Sequence, residues 1–211
     1  MVICVAGPIA AGKNFVCSIL EERGFFCLDA DQEIHKIIGD KQAEILSRFS
    51  QSATSRGINL RAADGSLDRR ALGKLLFKDS ALLAEQEKIL YPEFVARAQK
   101  LIDANNNALQ AKEGGATGIE SKPKTARGLA INAALLYKTP SLLRQCKKII
   151  YVDAPLLVRA WRIRRRDCLP FAQIIRRIKS QKGLLQEYKR FAADYGIEMV
   201  RVWNWGKRLS F

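Results

Sequence analysis

The sequence has little of what metal centres and disulfide scaffolds require. It holds a single histidine, His35, and five cysteines that are spread through 211 residues without C-x-x-C spacing. This pattern argues against a multi-histidine metal centre, a zinc site and a disulfide framework, and it fits a reducing compartment. Long apolar runs are also missing, so we expect no membrane-spanning segment and no membrane partner. The expected location is the cytoplasm.

Acidic residues are scarce beside basic ones. The chain has 36 Lys and Arg against 21 Asp and Glu, which gives a formal net charge of +15. From Arg144 onwards there are 17 basic and 5 acidic residues, so the excess is concentrated in the last third. Such a concentration indicates a local device for binding a polyanion, either nucleic acid or a phosphate-rich small molecule.

Short β-branched runs alternate with helical patterns, which is typical of an α/β fold. The pattern predicts a parallel sheet with helices on both faces. From residue 41 to 108 it is helical without strand alternation, and residues 105–127 are polar and read as a flexible surface loop. The predicted strands are 2–6, 25–28, 129–136, 148–153 and 198–203.

A glycine-bounded loop lies directly between the first predicted strand and the first predicted helix. The pattern Gly7-x-x-x-x-Gly12-Lys13 in that context is typical of a phosphate-binding loop. Glycines let backbone N–H groups turn towards phosphate oxygens, and the following helix offers its free N–H groups. Lys13 would supply a cation to the β- and γ-phosphates. The predicted ATP site is formed by Gly7, Pro8, Ile9, Ala10, Ala11, Gly12, Lys13, Asn14 and Phe15.

Asn14 departs from the usual loop pattern. It stands where a Ser or Thr hydroxyl normally ligates Mg²⁺. An amide oxygen is also a hard ligand, so Asn14 is the predicted metal ligand. The substitution points to weakened affinity for the metal or the nucleotide.

Further motifs follow the loop in an order that spans nearly the whole chain. After Gly7, Gly12 and Lys13 they are Asp-Ala-Asp at 29–31; Asp-Gly-x-Leu-x-Arg-Arg-Ala-Leu at 64–72; Leu-Tyr-Pro at 90–92; Ala-Leu-Leu at 134–136; Val-Asp-Ala at 152–154; the arginines from Arg162 to Arg166; and Asn204-x-Gly206. Taken in this order, the motifs resemble those of the dephospho-CoA kinase family, which uses ATP to phosphorylate the ribose 3′-hydroxyl of dephospho-CoA. The family's pattern has histidine at Tyr91, proline at Ala134 and an acidic residue at Lys138, so the chain resembles a divergent member.

The resemblance implies roles for particular residues. Asp31, at the carboxyl end of the second strand, is implied as the general base for the acceptor hydroxyl. From position alone, Asp31 could equally be a helix cap. The implied catalytic set is Asp31, Lys13 and Arg166. Further implied contacts are Arg162 and Asn204 for the nucleotide, and Asp29, Asp31 and Arg69 for the acceptor.

The implied architecture is a P-loop NTPase-like core with a helical acceptor-binding insertion and a basic lid. The lid would close on the transferring phosphoryl group and exclude water. The predicted boundaries are 1–30, 128–155 and 195–211 for the core, 31–127 for the insertion with its flexible loop 105–127, and 156–194 for the lid with its following helix.

Three other functions stay open. The chain could be another small P-loop kinase that acts on a nucleoside or nucleotide. The +15 charge permits a nucleic-acid-binding module, although no aromatic stacking pattern or zinc-finger spacing supports one. Asn14 and Lys138 are compatible with a decayed kinase that binds ligand with little turnover. We expect ATP and dephospho-CoA as small-molecule partners, Mg²⁺ as cofactor, no nucleic acid, and a monomer or weak oligomer.

Overall fold

Apolar, β-branched runs form the strands at the centre of the fold. The structure is a computed structural model that describes residues 1–77, 79–113, 127–206 and 209–210. The strands are β1 (Val2–Ala6), β2 (Phe25–Asp29), β3 (Gly128–Asn132), β4 (Lys148–Asp153), β5 (Glu198–Asn204) and β6 (Leu209–Ser210). The helices are α1 (Lys13–Glu22), α2 (Ala30–Asp40), α3 (Gln42–Thr54), α4 (Arg69–Phe77), α5 (Ser80–Glu113), α6 (Pro140–Leu143), α7 (Leu156–Asp167), α8 (Phe171–Lys179) and α9 (Leu184–Tyr195).

The strands form one sheet in the order β2-β3-β1-β4-β5-β6. The first five strands run parallel, and β6 pairs antiparallel with β5. All five residues of β1 are buried, as is typical of a central parallel strand covered on both faces. The order reverses at β1, so the loop that follows it lies at the edge where open α/β sheets bind ligands. The predicted parallel sheet is confirmed.

The chain divides into two compact units. One, the sheet unit, comprises Met1–Asp29 and Ala98–Phe211; the other, the helical unit, comprises Ala30–Arg97. The helical unit has its own apolar core, with fully buried Ile37, Ile45 and Phe49. None of the helices in the described ranges is long and apolar enough to cross a membrane.

An arginine near the end of the helical unit gathers three carboxylates. Arg97 donates to Glu33 at 3.0 Å, to Asp40 at 2.7 Å and to Glu93 at 2.9 Å. Burial raises the pKa of Glu33, but hydrogen bonds from Arg97 and Lys36 outweigh it and hold that pKa below its usual value. The network ties α2 to α5.

The third strand is shorter than predicted. β3 ends at Asn132, and the chain turns before the 3₁₀ turn Leu136–Lys138. The hydroxyl of the fully buried Tyr188 accepts the Leu136 N–H at 2.9 Å and donates to Ala134 O at 3.2 Å. Tyr188, on α9, therefore supplies hydrogen bonds to backbone groups that leave the sheet where the chain turns. The prediction of a strand over 129–136 is wrong beyond Asn132.

Helix α5 is longer than predicted. It continues to Glu113, so the predicted flexible loop 105–127 is wrong for its first nine residues. Polar residues such as Asn105 are weak helix formers. The helical turns that precede Asn105 are stabilised by packing, because Ala98 and Ile102 are fully buried. Residues 114–126 lie outside the described part. The helical unit ends at Arg97, whereas the predicted insertion extended to 127.

The segment 156–194 was predicted as a lid with one following helix, but the chain after Pro170 forms two helices. α8 ends at Lys179 and α9 begins at Leu184, with Gly183 between them at φ 87°. Ile174 and Ile178 of α8 pack with Ala160 and Ile163 of α7. An αL glycine breaks the apolar stripe that the sequence shows as continuous.

Candidate active site

The loop of residues 7–13, here called the phosphate loop, joins β1 to α1. Gly7 has φ 146°, and a Cβ there would overlap the carbonyl oxygen of Val152. Gly12 has φ 97°, and a Cβ there would overlap the side-chain amide of Asn204. Both glycines are therefore required by backbone angle and by close approach. The loop leads into α1, whose first-turn N–H groups point back towards it.

Lys13 lies over the beginning of the loop. Its Nζ donates to Gly7 O at 3.1 Å. A lysine in this position reaches the β- and γ-phosphates in P-loop proteins. The geometry accordingly suits an anion held by the N–H groups, by the helix N-terminus and by one compact cation.

Three side chains from α7 and the turn after α8 hold the middle of the loop. Arg159 Nε donates to Ile9 O at 2.9 Å, and Gln181 Oε1 accepts the Ile9 N–H at 2.6 Å. Arg162 Nη1 donates to Ala10 O at 3.0 Å and to Ala11 O at 3.2 Å. Ala10 has φ 59°, a conformation that costs about 1 kcal/mol for a non-glycine residue. These contacts offset that cost.

Arg162 and Asn204 support the loop rather than extend away from it. Arg162 Nη2 donates to Asn204 Oδ1 at 3.1 Å, and the same oxygen accepts the Gly206 N–H at 3.1 Å. Asn204 is buried. Burial lowers the pKa of Arg162 and also that of Arg159. The structure brings both predicted nucleotide contacts to the loop, where their polar groups bind protein atoms.

A cluster of amide and carboxylate groups lies where β2 and β3 end. Asn132 Nδ2 donates to Asn14 Oδ1 at 2.9 Å and to Asp29 Oδ2 at 3.4 Å. Asn132 is buried, and its Oδ1 is inaccessible and has no hydrogen-bond partner among the residues that the structure describes. A buried, unpaired amide oxygen is unfavourable unless a ligand or water meets it. Two predicted residues, Asn14 and Asp29, are thus neighbours.

The three remaining predicted residues, Asp31, Arg69 and Arg166, are exposed. Asp31 is exposed in the first turn of α2, two residues after β2. Arg69 is exposed at the start of α4, and its guanidinium packs over Gly39 of α2. Arg166 is exposed at the end of α7 and pairs with Asp167 at 2.7 Å. Arg177 also contacts Asp167, at 3.1 Å. The hydrogen bond from Arg166 is the largest cause of the lowered pKa of Asp167.

An apolar cavity of about 390 Å³ lies beside Arg162. Trp161 and Trp205 are its aromatic residues, and both are largely exposed. A cavity lined by two tryptophans and other apolar groups suits a flat aromatic ligand. The lining residues are Leu157, Val158, Trp161, Arg162, Trp205 and Gly206.

Sequence reasoning missed several of these residues. Asn132 had a usable signal, because it is a polar residue inside an apolar strand at its carboxyl end. The sequence does not distinguish Arg159 from the other arginines of α7. The difference arises on folding, which buries Arg159 and leaves Arg164, Arg165 and Arg166 exposed. Gln181 had no signal, because its contact spans 172 residues.

The phosphate loop, its lysine and the parallel sheet together define a P-loop nucleotide-binding protein. The family model for dephospho-CoA kinase matches residues 1–112. The dephospho-CoA kinase of Treponema pallidum is 35% identical over 181 residues, which cover 86% of this chain and 78% of that protein. The chain belongs to the dephospho-CoA kinase family.

Other comparisons agree. The dephospho-CoA kinase of Treponema denticola is 34% identical over 194 residues, covering 92% of this chain and 79% of that one. A solved structure from Thermus thermophilus superposes with a TM-score of 0.71 over 98% of this chain and 90% of its own, at 22% identity, which shows the fold alone. The predicted family is confirmed, and with it the P-loop fold and the class of ATP-dependent phosphotransferase.

Proposed function

We propose that this chain transfers the γ-phosphoryl group of ATP to the ribose 3′-hydroxyl of dephospho-CoA. The observation that carries the proposal is the phosphate loop with Lys13 over its start, in a chain of the dephospho-CoA kinase family. The cluster of Asn14, Asp29 and Asn132 at the ends of β2 and β3 supports it, because it adds oxygen ligands beside that loop.

ATP would lie along the loop with its base in the cavity. The N–H groups at the start of α1 and Lys13 would bind the phosphates. The adenine would stack on Trp161 or Trp205, which line the cavity next to Arg162. Arg162 and Asn204 would fix the position of the loop relative to this cavity, because Arg162 donates both to the loop and to Asn204.

Asp31 would act on the acceptor. It follows the end of β2 by two residues, and its exposed carboxylate can accept a proton. The 3′-oxygen attacks the γ-phosphorus while its proton passes to Asp31, and the bond to the bridging β,γ-oxygen breaks to release ADP. Asp29 would orient the acceptor, and Arg69, exposed at the start of α4, would bind its diphosphate.

The donor set fits Mg²⁺. Among the described residues no group of three or more His, Cys, Asp or Glu could hold a metal, so the ligands would include amide oxygens. The hard oxygen donors are the Oδ1 of Asn14, the Asp29 carboxylate and the buried Oδ1 of Asn132, which has no partner among the described residues. We propose that Asn14 holds the ion and that Asp29 and Asn132 hold its waters; when bound, the ion would neutralise charge on the β- and γ-phosphates.

Arg166 would meet the transferring phosphoryl group. It stands one turn after Arg162 on α7, and its guanidinium is exposed beside Asp167. A planar guanidinium can donate two parallel bonds to phosphoryl oxygens, which carry the charge of the transition state. Asp167 would hold it ready at the end of the helix.

An ADP-release assay with ATP, Mg²⁺ and dephospho-CoA tests the proposal. We expect ADP release that depends on dephospho-CoA and that Lys13→Ala abolishes. Adenosine and AMP as acceptors test the alternative that the chain is a nucleoside or nucleotide kinase. Faster ADP release with either of them than with dephospho-CoA would contradict the proposal. Tight binding of both substrates without turnover would instead support a decayed kinase, which the pairing of Asn14 with Asn132 makes a specific second candidate.

A further inference from the structure

The middle of the phosphate loop is bound to the turn between α8 and α9. Gln181, in that turn, accepts the Ile9 N–H through Oε1 at 2.6 Å, while Arg159 donates to the carbonyl of the same residue. The side chains of Ile9 and Ala10 pack against the α7–α8 apolar cluster. The turn and the loop are therefore held together by hydrogen bonds and by apolar packing.

Three positions of the loop lack an N–H group that is free to bind a phosphate. Pro8 has no N–H. The Ile9 N–H is taken by Gln181, and the Ala11 N–H donates to Pro8 O at 3.2 Å. Phosphate loops stabilise their ligand through such donors, so the contact with Gln181 withdraws one of them from the site.

We propose that Gln181 replaces the donor that it withdraws, by directing its own Nε2 hydrogens at the terminal phosphoryl group of ATP. A carboxamide has one acceptor oxygen and two donor hydrogens. Because Ile9 occupies Oε1, the group that Gln181 can offer a ligand is a donor. Gln181 would then be a substrate-binding residue, and this inference rests on the proposed ATP site.

The position of Lys13 locates the phosphoryl group concerned. Lys13 Nζ lies 3.1 Å from Gly7 O, so its ammonium group is at the beginning of the loop. Since this lysine reaches the β- and γ-phosphates, the beginning of the loop lies on the γ-phosphate side. Gln181 binds Ile9, two residues after Gly7, so a donor on its side chain would stabilise the charge that develops on the γ-phosphoryl oxygens during transfer.

Two substitutions separate this role from simple support of the loop. Gln181→Glu keeps an oxygen for the Ile9 N–H but replaces the donor hydrogens with a negative oxygen. Calorimetry should show that it binds a non-hydrolysable ATP analogue about tenfold more weakly or worse, while ADP affinity changes by less than about threefold. Gln181→Met, which has neither group, should lose analogue affinity to a smaller extent.

Gln186→Glu is the matched control, because it makes the same charge change on an exposed residue of α9. It should bind both ligands as the unmodified chain does. Unchanged analogue affinity in Gln181→Glu, or an equal loss for ADP, would overturn the proposal. Tighter analogue binding by Gln181→Met would also overturn it, because Gln181 would then be a competitor that leaves when ATP arrives.

The calorimetry stays decisive even if the proposed function fails. A chain that binds the analogue but does not phosphorylate dephospho-CoA would contradict the assignment of the acceptor, and the ratio of analogue to ADP affinity would still decide the role of Gln181. Failure of the unmodified chain to bind the analogue would overturn the ATP site and the role of Gln181 together.

Discussion

Asn132 is the residue on which the polar end of the sheet depends. Its amide nitrogen joins Asn14, which follows the phosphate loop in α1, to Asp29 at the end of β2, and its oxygen is buried with no partner in the described part of the chain. A buried amide that uses only its donor side is unfavourable, so the free chain is poised to gain free energy when a ligand supplies the missing donor or a cation.

Asp31 provides the sharpest residue-scale prediction. Asp31→Asn should lower kcat by about 10²–10⁴-fold, because the amide cannot accept the proton of the 3′-hydroxyl. Affinity for ATP, measured by calorimetry, should stay nearly unchanged. Asp194→Asn on the exposed face of α9 is the control and should keep full activity. Near-normal turnover in Asp31→Asn would remove Asp31 from the mechanism.

Asn14 is predicted to be a compromise ligand. Asn14→Ser restores a hydroxyl at the usual metal position and frees Asn132 from its hydrogen bond. We expect ATP affinity to rise by roughly two- to tenfold in the presence of Mg²⁺ and to stay unchanged in EDTA. An equal gain without Mg²⁺ would mean that the effect is not due to the metal, and no gain at all would mean that the ion is held by other groups.

The residues that sequence could identify are those with a local signature. Gly7, Gly12 and Lys13 lie in one loop, and their spacing is typical of phosphate binding. The structure shows why glycine is required at positions 7 and 12. Gln181 and Arg159 contact that loop from 172 and 150 residues away. Such contacts depend on how α7 and α8 pack, which no local pattern encodes.

At the scale of elements, α7 was predicted to form a basic lid, and the structure shows that it also supports the phosphate loop. Arg159 and Arg162, three residues apart, face the phosphate loop and donate to its carbonyls. Arg164, Arg165 and Arg166 are exposed. The first turns of the helix therefore shape the loop, while nearer its end Arg164 donates to Leu169 O and Arg166 pairs with Asp167. Sequence predicted the basic helix but not which of its arginines donate to the carbonyls of the loop.

The cavity between α7 and the end of β5 provides an element-scale prediction. Trp205→Ala should raise the KM for ATP by about tenfold, because stacking of a base on an aromatic ring contributes about 1–3 kcal/mol. The value of kcat should change little. Phe171→Ala, which removes an equally exposed ring on α8, is the control. An unchanged KM in Trp205→Ala would place the adenine elsewhere.

Element boundaries were predicted well where the chain's own pattern ends an element. β1 and β4 have the predicted bounds, because a glycine-bounded loop follows the first and Pro155 follows the other after one alanine. β3 was predicted too long because its end is set by the hydroxyl of Tyr188, more than fifty residues away. Distant partners determine what local propensity leaves open.

For the whole molecule, the helical unit has an electrostatic network of its own. Arg97 binds three carboxylates, of which Glu33 is the least accessible, with a side chain 13% exposed. A carboxylate whose folded-state pKa is lowered stabilises the fold above the unfolded-state pKa. That contribution is lost as pH falls through the folded-state pKa.

Arg97→Met should therefore be destabilising in a pH-dependent way. At pH 7 we expect a loss of about 1–3 kcal/mol in the free energy of unfolding, because Glu33 loses its main partner. The difference from the unmodified chain should shrink below about pH 4, where the carboxylates become protonated. Urea unfolding at both pH values measures it. Arg48→Met, which breaks an exposed pair with Glu85, is the control; a loss that is equal at both pH values would contradict the role of the network.

The position of the added phosphate is the most direct test of the central claim that this chain phosphorylates dephospho-CoA on the ribose. The product of a reaction with ATP, Mg²⁺ and dephospho-CoA should gain one phosphoryl group by mass. Its ³¹P spectrum should show a new monoester coupled to the ribose 3′-proton, and Lys13→Ala should give none. A monoester at another position, or no product from a folded chain that binds both substrates, would contradict the account.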